Sequence, residues 1–175
     1  MSTGQMTLVL AAFAILSLLV LGVNRILVEK TTVMLDSEAA ITSISIAQAM
    51  IDEIQKREFD EKAILQRIYT PTNMTALASL GSDVGESVST PDVSPFSSIN
   101  HFDDVDDYNG YKRTVSTTRL GGFSVEDSVY YVTASNLDVE ASSQTYYKKI
   151  VVKVTHSSLK QPIILTDIAV YRRYL

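Results

Sequence analysis

The chain has no cysteine and no tryptophan among its 175 residues. Without cysteine there are no disulfides, no thiolate metal sites and no cysteine nucleophile. Histidine is scarce: His101 and His156 lie too far apart in sequence to suggest a zinc site. Lys and Arg number 15 against 20 Asp and Glu, giving a net charge of −5 and a pI of about 5.0, so no basic footprint for nucleic acid is present. There is no phosphate loop, no nucleophile elbow and no metal-spaced histidine pair, and no enzymatic activity is expected. Charged side chains are missing before Arg25, and proline is missing before Pro71.

The charge-free front end has a positive content. Residues 6–23, MTLVLAAFAILSLLVLGV, carry only Thr7 and Ser17 as polar side chains, and each can bond back to a carbonyl one turn earlier. As a helix at about 1.5 Å per residue this stretch covers roughly 27 Å, close to the ~30 Å of a bilayer core. A soluble surface helix would show a polar face; this one is apolar all round, so it belongs in lipid or somewhere equally dry. The preceding MSTGQ has no basic residue, and VLGVNR is a poor cleavage site, which favours a retained helix over a secretory signal.

Helix-compatible sequence then continues, so that one helix is expected over 5–69, closed by Pro71. Gly22 is a soft spot in it, costing about 1 kcal/mol against alanine. Past Arg25 the pattern becomes amphipathic. Ala40, Ile44, Ala47, Ile51 and Ile54 fall at i, i+4, i+7, i+11 and i+14, one stripe of an α-helix suited to pack on a sheet. Asp36, Ser43, Gln48, Asp52 and Glu53 fill the other face.

The chain thus divides into a hydrophobic helix (1–24), the amphipathic half of the same helix (25–69), a variable loop region (70–111) and a sheet head (112–175). Residues 70–100 are rich in Ser, Thr, Gly, Pro and Asp and read as loop, with one short helix near 74–80. Residues 101–111, HFDDVDDYNGY, hold Asp103, Asp104, Asp106 and Asp107 before an Asn-Gly turn. These carboxylates could gather the oxygens that Ca²⁺ needs, but the spacing is not that of an EF-hand. The alternative is a solvated acidic turn whose aspartates cap backbone amides. Strands are expected over 111–118, 128–138, 145–156 and 162–174, with Gly121-Gly122 as a link. Four strands with short connections make an antiparallel sheet, and the helical stripe covers one face: an α+β fold.

Three runs in order, SIAQAMIDEIQKREFDE (45–61), FDDVDDYNGY (102–111) and YYKKIVVKVTH (146–156), follow the long half-greasy helix. The arrangement resembles the type IV pilin and type II secretion pseudopilin superfamily, its minor pilins in particular. The resemblance implies insertion in the inner membrane with the N-terminus cytoplasmic, although Arg25 and Lys30 alone would place the other end inside. It also implies cleavage by a prepilin peptidase and handling by an assembly platform and its ATPase. The subunit would then enter a homopolymeric extracellular filament or a periplasmic pseudopilus. Met6, Leu8, Leu10, Phe13, Leu16, Leu19, Val20, Gly22 and Val23 would form the assembly core. Processing would fall at Gly4 and Gln5. The family usually has glutamate at the fifth mature position. Here that position is Val9 if cleavage follows Gly4, or Gln5 if the mature chain starts at Met1, so the usual ion pair to a neighbour's amine cannot form. Two other roles are expectations of the same front end: a minor subunit priming or capping a filament, and a single-pass anchored binding domain that never polymerises.

Overall fold

The computed structural model describes residues 2–172, Leu65 by its backbone alone. The expected strand over 162–174 therefore extends past the described residues. Helix α1 runs Thr3–Ile54, 52 residues, without a break at Gly22. It is followed by α2 (Glu61–Leu65), β1 (Asp92–Val93), α3 (Ser98–His101), β2 (Lys112–Thr117), β3 (Gly121–Thr133), β4 (Asn136–Glu140), β5 (Tyr147–Thr155) and β6 (Ile163–Val170). The fold is α+β: a long N-terminal helix, then a mixed, mostly antiparallel sheet ordered β1-β2-β3-β5-β6, with β4 pairing β3. Two compact units are present, Met1–Glu38 and Ala39–Leu175.

The helix stops at Ile54, not near residue 69. The backbone beyond it is claimed by a distant segment: Glu58 N–H donates to the Asp103 carbonyl at 3.2 Å, and Val105 N–H donates to the Glu58 carbonyl at 2.9 Å. A residue paired on both groups as a bridge cannot also serve a helical ladder. Asp60 then starts α2 as its N-cap, accepting from Lys62 N–H at 3.2 Å.

The stripe that packs on the sheet is Ala39, Ser43, Ala47, Met50, Ile51 and Ile54. Ala47, Ile51 and Ile54 are where the spacing puts them. Ile44 is not: it is 48% exposed, and Ala40 is only half-buried. Two rows of small and apolar residues run side by side here. The sheet selects the one with Ala39 and Ser43, whose short side chains let the helix sit close.

Six strands replace the four expected. The two-residue β1, within a stretch read as loop, pairs parallel with β2 (Asp92 with Arg113, Val93 with Thr114). Gly121-Gly122 is not a link but the start of a 13-residue β3. Gly121 has φ +84°, which a side chain would resist, and it closes the β2–β3 hairpin against Thr117. The expected strand over 128–138 is split by a turn at Ala134-Ser135, where β3 returns as β4 with a register shift. β5 alternates strictly: Lys148, Ile150, Val152 and Val154 point inward. Phe123, Val125, Val129, Ile150, Val152 and Val154 meet Met50, Ile51 and Ile54 in the main core. A second cluster gathers Phe59, Ile68, Met74, Tyr131 and Ala141.

Candidate functional site

Two features could carry function: the surface of the first unit and a buried set of charges in the second. Among the described residues of the first unit, the large apolar side chains are exposed. Among Met6, Leu8, Leu10, Phe13, Leu16, Leu19, Val20 and Val23 exposure runs from 49% at Val23 to 73% at Leu8. Gly4 and Gln5 are exposed in the first turn. Five of its hydroxyls are spent on the helix itself. Thr7 donates to the Gly4 carbonyl at 2.9 Å and Ser17 to Phe13 at 2.8 Å; Thr31, Thr32 and Ser37 do the same one turn back. A helix whose side-chain hydroxyls and backbone are satisfied within the segment can lose water on every side. This one helix is long and apolar enough to cross a membrane.

The acidic run does cap backbone amides, but Asp104, Asp106 and Asp107 are buried rather than solvated, and of the four aspartates only Asp103 is exposed. Asp104 Oδ1 accepts from the amides of Asp106 and Asp107 at 2.8 and 3.2 Å. Asp107 Oδ2 accepts from the amides of Asp103 and Asp104 at 3.0 and 3.1 Å. Asp106 turns away to Lys148 Nζ at 2.5 Å. The four aspartates therefore do not converge on one point. The carboxylates that do approach one another are Glu61, Asp103 and Asp104, and Glu86, Asp103 and Asp107, each set within 4.8 Å. Glu61 and Glu86 come from the segments between α1 and β1 and had no signal in the run itself. Burial and the charge of Asp106 push Asp104 up to about 9. Burial and a hydrogen bond shared with Asp107 push Glu86 to about 7.

Lys148 is the centre of the second unit's electrostatics. It is fully buried on the inward face of β5. Its ammonium donates to Asp60 Oδ2 at 3.0 Å, Asp106 Oδ1 at 2.5 Å and the Phe59 carbonyl at 2.7 Å. The rings of Phe59 and Tyr131 lie 4.6 and 5.2 Å from Nζ. Asp60 is held from the other side by the Thr75 amide at 3.0 Å and the Tyr131 hydroxyl at 3.0 Å. Burial pushes the Asp60 carboxyl up, but the Lys148 charge and these hydrogen bonds outweigh it and hold the group below its usual range. Burial dominates at Asp106, which is raised. Sequence reasoning passed over Lys148. The signal was there: it shares the parity of Ile150, Val152 and Val154, which placed a lysine among core residues.

A second buried set joins helix and sheet. Arg113 on β2 meets Glu53 of α1 at 2.7 Å, and Tyr108 donates to the same carboxylate at 3.1 Å. Asp127 on β3 is fully buried, with no hydrogen-bond partner for either oxygen among the described residues, and burial raises it well above its usual range. Burial without a partner favours the neutral form of such a carboxyl, and the nearby Arg113 charge opposes that shift.

The chain was compared with known protein families, characterised proteins and solved structures, and it matches none of them. What stands is the architecture: a long apolar N-terminal helix whose later turns pack on a mostly antiparallel sheet, an arrangement consistent with a pilin-like fold.

Proposed function

We propose that the chain is a structural subunit of an extracellular pilus-like filament, polymerising through residues 5–35. The supporting observation is the first unit's surface: an apolar helix, exposed on all sides, with its hydroxyls bonded to its own carbonyls. Such a surface is stable in only two settings, lipid or the company of similar helices. At roughly 25 cal/mol per Å² of apolar area, leaving it in water costs tens of kcal/mol. Transfer out of a membrane is tolerable if the same area is buried between copies. In this reading the precursor waits in the inner membrane, meets a prepilin peptidase near Gly4 and Gln5, and is moved by an assembly platform and its ATPase. The folded second unit rides on the outside and contributes no catalysis.

The test is electron microscopy of filaments sheared from cells that make the protein, with mass spectrometry of the filament subunit and its N-terminus. The chain is expected as a filament component. Recovery only as a dispersed monomer in detergent, never in fibres, would replace this reading with that of a single-pass anchored domain.

A further inference from the structure

We propose that Lys148 and Asp106 are joined by an intramolecular isopeptide bond, Nζ to Cγ, with Asp60 as the proton acceptor. The inference stands on the second unit alone and does not depend on polymerisation. The juxtaposition is specific. One amine nitrogen lies 2.5 Å from an oxygen of one carboxyl and 3.0 Å from an oxygen of another, inside a site with no exposed lysine surface. The three groups come from separate places: Asp60 from the N-cap of α2, Asp106 from the turn before β2, Lys148 from β5. Each is fixed independently. Lys148 is locked by the strand register, paired with Tyr131 on β3 and with Ala169 on β6. Asp106 is held by its amide on Asp104, and Asp60 by Thr75 and Tyr131.

The step balances without any outside reagent. The ammonium of Lys148 passes a proton to the Asp60 carboxylate. The freed amine attacks Cγ of Asp106 and the C–N bond forms; Asp60 returns its proton to the departing carboxyl oxygen of Asp106, which takes the second proton lost from Nζ and leaves as water. Ammonium plus carboxylate becomes amide plus water, with no change in oxidation state. Two things oppose this condensation in solution: bringing the partners together, and stripping hydration from both ions. Here the fold has done both. Holding reactants in contact is equivalent to an effective concentration on the order of 10⁵ M or more. Burial has already removed the hydration that favours the ions, and an amide costs less to keep in a dry interior than a charge pair. The rings of Phe59 and Tyr131 beside Nζ keep water from returning to hydrolyse the product.

The full chain, purified in detergent, gives the decisive measurement. Its intact mass should be lower than that of the same chain carrying Lys148→Arg by one water, about 18 Da, after correction for the side-chain change. Digestion should yield a branched peptide in which the segment containing Lys148 is attached to the one containing Asp106. Lys148→Arg keeps the positive charge but cannot form the amide, so its digest should contain only linear peptides. An intact mass equal to that of the free side chains overturns the proposal. So does a water loss that maps to a linear peptide, for instance by cyclisation of an aspartate elsewhere.

Discussion

The same helix lives in two physical settings. Before Glu38 its large apolar side chains are exposed, and the hydroxyls of Thr7, Ser17, Thr31, Thr32 and Ser37 are bonded to their own turn. After Ala39 it is one wall of a core, and its polar residues reach outward to other elements, as Glu53 does to Arg113, Tyr108 and Ser98. The first unit has closed its hydrogen bonds and left its hydrophobic surface open. The second has closed its hydrophobic surface and gathered its charges inside. A segment of the first kind needs an apolar environment around it; one of the second kind carries its own core.

The sharpest way to break this contrast is to put a charge in the first unit. Leu16→Asp or Leu19→Asp costs about 3 kcal/mol per subunit in a hydrocarbon setting. It should abolish filaments, scored by electron microscopy, while the second unit keeps its denaturation midpoint. Filaments of normal yield would end the assembly argument. Next in size is Lys148→Met, which leaves Asp60 and Asp106 buried without the side chain that bonds to both. A loss of about 3–5 kcal/mol is expected in urea titrations of the full chain in detergent, with no change in membrane retention.

The boundary between the two settings can be located by truncation. Ile54→Ala removes a fully buried side chain and should cost about 2–5 kcal/mol. Ile44→Ala, ten residues earlier on the uncovered row, should stay within about 0.5 kcal/mol by the same measurement. Equal losses would mean that the wrong row has been assigned to the sheet. The smallest effect is that of pH. Folded Asp104 keeps its proton up to about 9, whereas its ordinary value is 3.8; Glu86 shifts in the same direction, to about 7 from 4.5. Between the ordinary and folded values the folded state holds more protons, so stability falls as pH rises. Asp60, held below 3.8, has the opposite sign, and its contribution is lost only as pH drops through that lower value. Thermal melts should therefore decline from pH 5 to pH 9, and Asp104→Asn should flatten the decline. A rise over that range would contradict the buried acidic cluster.

Much of the architecture was legible because it follows from periodicity. The apolar run of 6–23, the turn to an amphipathic helix and the alternation of 145–156 each depend on local pattern alone. The errors arose where one strand or helix met another. Helix α1 ends because residues 103–105 take the backbone of Glu58, a pairing across some 45 positions that no window on 54–61 reveals. Glycine at 121 looked like a breaker, yet its positive φ serves a hairpin. The aspartates 103–107 were readable as amide caps, but the partner of Asp106 lies on a strand 42 residues later.

By itself, then, the order of residues determined that the front of this protein is apolar on every side and its tail a sheet with one dry face. Those properties depend on side-chain type at fixed spacing, and any folding of the chain must respect them. Only the tertiary structure decided which helical row meets the sheet and that a lysine and two aspartates share one buried pocket. Proximity between distant residues is set by packing, and no local pattern encodes it.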